Sequence, residues 1–155
     1  MKTKKLLFSF FLVVFISCNS SSTFREFDKM PENNRWEKSD VKQYEFEIKD
    51  NTTLYNFVFK FSHIYDYQFA NIPVQFVIEN PDGQRETLAV DLPIKESNGQ
   101  QIADCSGDVC DLDYRIKTKT KLTNGKYKIT ISHDFKQADY LPNVLGVGLE
   151  VDKAE

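Results

Sequence analysis

The chain has 155 residues, 28% of them charged and 41% hydrophobic, with a formal net charge of −3 and a sequence pI near 5.5. That length suits one domain with a real core, and the acidic balance argues against nucleic acid as a partner. Lys2, Lys4 and Lys5 stand at the very start, so the rest of the chain is more acidic still. On net charge alone, an anionic membrane surface gains nothing from it.

Those lysines precede an apolar run from Leu6 to Ile16, interrupted only by Ser9 and ending at Ser17-Cys18. This is the layout of a secretory signal, and the run is shorter than the roughly twenty apolar residues that a spanning helix needs. Phe15-Ile16-Ser17-Cys18 resembles the bacterial lipobox, in which the Cys is diacylated on sulfur and becomes the new N-terminus. Residues 1–17 are therefore expected to be a lipoprotein signal peptide, with Cys18 as the lipidation site. Residues 18–40 are expected to form a tether and residues 41–155 the folded domain. A cleaved signal with a chance Cys at its end is the competing reading. Stable anchoring takes more than one acyl chain, which multiple acylation of Cys18 supplies.

After the polar stretch Asn19 to Ser22, the segment to Asp40 is rich in charge, with Phe24, Phe27, Met30 and Trp36 as its apolar points. It reads as a linker that docks on the domain at a few places. Trp36 reads as a plug over one end of the core, with a ligand platform as the alternative.

From Val41 the pattern changes to period two, which sends alternate side chains to opposite faces of a strand. Tyr44, Phe46 and Ile48 alternate with glutamates. Tyr55, Phe57, Phe59 and Phe61 form the most aromatic strand, expected to be central. Val74 to Glu79 and Glu86 to Leu92 flank Asn80-Pro-Asp-Gly83, a strong turn signal. Ile94 to Asp113 reads as a loop. Tyr114 to Leu122 and Lys126 to Ser132 flank Asn124-Gly125, the preferred two-residue hairpin signal. Asp134 to Asn143 has room for one helical turn. Leu145 to Val151 ends the pattern with Gly146 and Gly148 opposite Val147, Leu149 and Val151. The expected fold is all-β, a single antiparallel β-sandwich (jelly-roll or Ig-like) of about seven to eight strands.

With Cys18 assigned to the anchor, Cys105 and Cys110 remain. An even pair in an exported chain reads as a disulfide, and closing a ring of about six residues contributes roughly 2 kcal/mol. Redox chemistry favours Cys-x-x-Cys, and zinc would need two more ligands that His63 and His133 are not spaced to give. No Gly-x-Ser-x-Gly, His-Glu-x-x-His, phosphate loop or Gly-x-Gly-x-x-Gly is present. No enzyme, cofactor or small-molecule ligand is expected. His133-Asp134 is a poor dyad, because adjacent strand residues point to opposite faces. Two weaker constellations stand out. Asp104, Asp108, Asp111 and Asp113 offer oxygens for a calcium ion, with a solvated acidic turn as the favoured alternative. Tyr65, Tyr67 and Phe69 would share a face if extended and, with Trp36, are candidate platforms for a glycan; core filling is the favoured alternative.

Several segments together resemble the gliding-motility lipoprotein family GldH of the Bacteroidetes. They are Cys18; Phe27 and Trp36 before Tyr44-Glu-Phe46; Tyr67-Gln-Phe-Ala-Asn71-Ile; Asn80-Pro-Asp-Gly83 with Glu86-Thr-Leu88; Gly107-Asp108; Asn124-Gly125-Lys-Tyr127; and Leu141-Pro-Asn-Val144 through Gly146, Gly148 and Glu150. Gln68, the cysteine pair and Phe135-Lys136 depart from the family pattern. The resemblance implies a non-enzymatic lipoprotein, anchored in the outer membrane by its lipid and associated with motility and type IX secretion proteins. The alternative is a glycan-binding lipoprotein of a polysaccharide-uptake system. Asn19-Ser-Ser-Ser22 lacks the acidic residues that tend to follow the Cys of surface-exported lipoproteins, which favours the periplasmic face.

Overall fold

The computed structural model describes residues 22–155. The signal segment and Cys18 lie outside the described residues. Within them there is no helix, and eleven strands form antiparallel sheets: β1 (Ser22–Lys29), β2 (Arg35–Glu37), β3 (Lys42–Ile48), β4 (Leu54–Ile64), β5 (Asn71–Glu79), β6 (Arg85–Pro93), β7 (Asp104–Ser106), β8 (Val109–Lys121), β9 (Gly125–His133), β10 (Tyr140–Pro142) and β11 (Val144–Lys153). A five-stranded sheet has the order β1-β11-β4-β8-β7, a four-stranded sheet the order β3-β9-β5-β6, and β10 and β2 make a two-stranded ribbon.

The alternating residues explain this arrangement. Tyr55, Phe57, Phe59 and Phe61 of β4 face inward beside Val147, Leu149 and Val151 of β11, with Phe61 opposite Val147, Phe59 opposite Leu149 and Phe57 opposite Val151. The other sheet answers with Phe46, Phe76, Ile129 and Ile131. Phe59 meets Phe76 edge-on at 5.2 Å between ring centroids, and Phe46 meets Phe57 at 5.9 Å. The inward faces of both sheets thus share one core, in which each large side chain removed from water contributes roughly 1.5–3 kcal/mol. The aromatic strand β4 is the middle strand of its sheet, as its pattern predicts.

Five expectations need correction. The segment taken as a tether contributes β1 and β2 to the body. β1 is an edge strand with few inward side chains, Phe24 against Phe46 (5.4 Å) and Asp28 accepting from the Tyr44 hydroxyl (2.8 Å), and its charged residues mask the alternation. The Asn124-Gly125 step does not close a hairpin: β8 pairs with β4 and β7, whereas β9 pairs with β3 and β5, so the chain crosses between sheets there. Leu122 is buried at this step. The loop from Ile94 to Asp113 contains β7 and the start of β8, and the stretch after Asp134 forms β10 in place of a helical turn. With β1, β2, β7 and β10 counted, there are more strands than the seven to eight expected.

Candidate docking surface

Trp36, in the ribbon, is fully buried. Its indole N–H donates to the Asp40 carbonyl at 2.9 Å, and its ring packs 4.9 Å from that of His133 and 6.4 Å from that of Phe59. The His133 Nε2–H donates to the Trp36 carbonyl at 2.9 Å, which fixes the neutral tautomer. Burial, against the opposing pull of that hydrogen bond, holds the His133 pKa below its ordinary value. His133 serves the core, and Asp134 points away from it to pair with Lys136.

Tyr67 is also fully buried, wedged among Phe61, His63 and Phe69. Its hydroxyl has no hydrogen-bond partner among the described residues, and burial raises its pKa. The expected aromatic row is broken because Asp66 adopts φ 54, which turns Tyr65 outward while Tyr67 turns in. Trp36 and Tyr67 therefore cannot act as glycan platforms, and only Tyr65, 59% exposed, is open to a ligand.

Tyr65 belongs to a cluster of loops at the end of the body where β4 and β6 finish. Its N–H donates to the Asp108 carbonyl at 2.9 Å, which ties it to the turn between β7 and β8. Cys105 and Cys110 stand directly opposite each other in this two-stranded piece and are joined as a disulfide. Gly107 makes the turn possible with φ 61, a conformation open to glycine at no steric cost. Tyr65, Ile102 and Val109 are exposed apolar side chains of this cluster, among Asp66, Asp104, Asp108 and Asp111.

The four aspartates do not converge on a cation. Asp104 and Asp111 oppose each other across the β7–β8 pair, Asp108 lies in the turn, and Asp113 is bound to Lys60 at 2.5 Å. Among the described residues no group of three or more His, Cys, Asp or Glu is arranged to hold a metal ion. Asp111 and Asp113 lie two residues apart on β8, where Lys60 takes up Asp113.

One feature of the outer face of the five-stranded sheet escaped the sequence reading. Lys60 bridges Asp113 (2.5 Å) and Glu150 (2.9 Å), and Glu150 also accepts from Arg25 (2.7 Å). Burial works against the Glu150 charge, but the hydrogen bonds from Lys60 and Arg25 outweigh it and lower its pKa. Beside this chain of ion pairs the ring of Phe27 lies over Gly146 and Gly148, and a shallow groove of about 360 Å³ runs from Phe27 to Asp111. The signal was present in the two alternate glycines of β11, whose bare face calls for a ring from a neighbouring strand.

The family of GldH lipoproteins matches residues 22–151, nearly the whole described chain. The chain belongs to the GldH lipoprotein family. Two relatives resemble this GldH-family chain over most of their length. One is the gliding motility lipoprotein GldH homolog of Christiangramia forsetii, 23% identical over 96% of this chain and 94% of the relative. The other is the gliding motility lipoprotein GldH of Flavobacterium johnsoniae, 22% identical over 85% of this chain and 81% of the relative. Phe27, Gly146, Gly148 and Glu150, which carried part of the resemblance in the sequence, come together on the outer face of one sheet in this GldH-family structure.

Proposed function

We propose that this protein is a non-enzymatic outer-membrane lipoprotein, diacylated at Cys18 and facing the periplasm. It acts as a structural and interaction component of the gliding-motility and type IX secretion machinery, carried on a β-sandwich body. The observation that carries the reading is the family match over residues 22–151, together with relatives named for gliding motility. Both histidines support a non-catalytic role, since each is buried and bound to a backbone carbonyl. The loop cluster around Tyr65, Ile102 and Val109 supports docking: exposed apolar side chains set among aspartates suit a partner whose contact is apolar with a basic surround.

The test is complementation of a strain lacking this protein, scored for surface spreading and for release of type IX cargo. The wild-type chain should restore both, and Cys18→Ala should restore neither although it folds. Full restoration by Cys18→Ala would sink the lipid-anchored reading. Normal spreading and secretion in the deletion strain would sink the motility assignment.

A further inference from the structure

We infer that the body stands end-on against the anionic bilayer that holds its lipid, with Lys119, Lys121 and Lys126 touching phospholipid headgroups. The inference rests on anchoring at Cys18 and goes beyond it by fixing which face of the protein meets the membrane.

Three observations carry it. First, the tether is short. Only Asn19, Ser20 and Ser21 separate Cys18 from Ser22, where β1 begins, and that length of extended chain spans at most about 14 Å. The end of the body that holds Ser22 is therefore held at the headgroups.

Second, that end can be read from the strand registers. Ser22 stands opposite Asp152 and Asp152 opposite Asn56, whose side-chain oxygen accepts from the Lys119 N–H at 3.0 Å. Lys119 thus lies three strands from Ser22, about 15 Å at ordinary strand spacing. Further toward the end, Leu54 stands opposite Lys121 and is 40% exposed. In the other sheet β9 starts at Gly125, opposite Ile48, which puts Lys126 at the same end. A hollow lined by Thr23, Lys49, Asp50 and Lys153 joins the two sheets there.

Third, the charges at this end are sorted. Asp50 is taken up by Lys153 (3.1 Å), and Glu47 faces Lys49 (3.9 Å). Glu155 and Asp152 line a depression with Lys119 and Lys153, Asp82 stands in the neighbouring turn, and Glu47 is the cross-strand neighbour of Lys126. Lys119, Lys121 and Lys126 are exposed and have no carboxylate within ion-pair distance among the described residues. The stretch from Tyr114 to His133 contains no acidic residue at all. The acidic net charge of the chain hides this run of cations along one stretch. Cations a few ångströms from an anionic leaflet are attracted to it, and the attraction fades within a Debye length. A short tether keeps them inside that range, and exposed Leu54 sits where an apolar side chain can enter the interface.

The test is lysine acylation read by mass spectrometry on the full lipidated protein, in detergent and in floated vesicles of phosphatidylethanolamine with 30% phosphatidylglycerol. Lys119, Lys121 and Lys126 should be labelled at least threefold more slowly in the vesicles, whereas Lys38 and Lys136, at the other end, should not change. Replacing phosphatidylglycerol with phosphatidylcholine should remove most of the slowing. Equal labelling at both ends, or slowing confined to Lys38 and Lys136, would overturn the orientation. Slowing seen in native envelopes and absent from vesicles would assign these lysines to an acidic protein and overturn it equally. Failure of the wild-type protein to float would overturn the anchor reading, and this inference with it; a floating protein with unprotected lysines overturns the orientation alone.

Discussion

The ring of Phe27 lies so close over Gly146 that a Cβ there would clash with its Cε1 and Cζ carbons. A Cβ on Gly148 would meet the same ring at 2.8 Å and the Glu26 carbonyl at 2.5 Å. The glycines leave one face of β11 bare, and an aromatic ring from the edge strand covers it. With Phe24 packed on the inner side, that ring helps hold β1 on the sheet, since most of its other side chains face water.

Gly146→Ala should therefore destabilise the protein by about 1–3 kcal/mol, the usual cost of overpacking. In a Phe27→Ala background the cost should shrink without vanishing, because the Asp28 carbonyl would still lie 2.8 Å from the new Cβ. Urea denaturation of the two single variants and the double variant measures this coupling. Strict additivity would mean that the ring does not pack on the glycine.

The body should lose stability between pH 7.5 and pH 5.5. Burial lowers the pKa of both His63 and His133, so over this window the unfolded chain binds protons that the folded one refuses. The unfolded value is about 6.5, and the stability present above it is lost as pH falls toward the folded values. The urea midpoint should drop across this range in the wild type and stay nearly level in a His63→Gln, His133→Gln double variant. An equal drop in both proteins would assign the effect to other groups.

Replacing both Cys105 and Cys110 with Ala should cost about 2 kcal/mol, the value expected for a ring of this size. The loss should remain local, because β8 keeps its pairing with β4 when β7 is released. Hydrogen exchange would show faster amides in β7 and at Tyr65, whose N–H is bonded to Asp108, with little change in β4. Faster exchange throughout β4 and β11 would mean that the disulfide holds more than its own turn.

The strands of the core were legible because the face turned to the second layer carries the large apolar side chains, which forces period two onto β3 and β9 and spaces the aromatic residues of β4 two apart. The Asn80-Pro-Asp-Gly83 turn was legible as well, and Gly83 does take a positive φ of 82. Asn124-Gly125 carries a similar signal with another outcome, since turn residues report local backbone geometry and not which sheet the next strand joins. Only the burial of Leu122 and the approach of Gly125 to Pro81 mark that step as a crossing. β1 was missed because an edge strand with one neighbour needs few inward side chains. The burial of Trp36 and Tyr67 was the favoured reading of both rings, but Tyr65 and Tyr67 look alike in sequence. What separates them is the backbone of Asp66.

The most direct measurement is photo-crosslinking in the native envelope from a light-activated residue at Tyr65, with a second probe at Glu45 on the far strand β3. The account predicts that the Tyr65 probe captures motility or secretion subunits identified by mass spectrometry, and that Glu45 captures them weakly or not at all. Capture of only polysaccharide-uptake proteins from Tyr65, or equal capture from both probes, would contradict it.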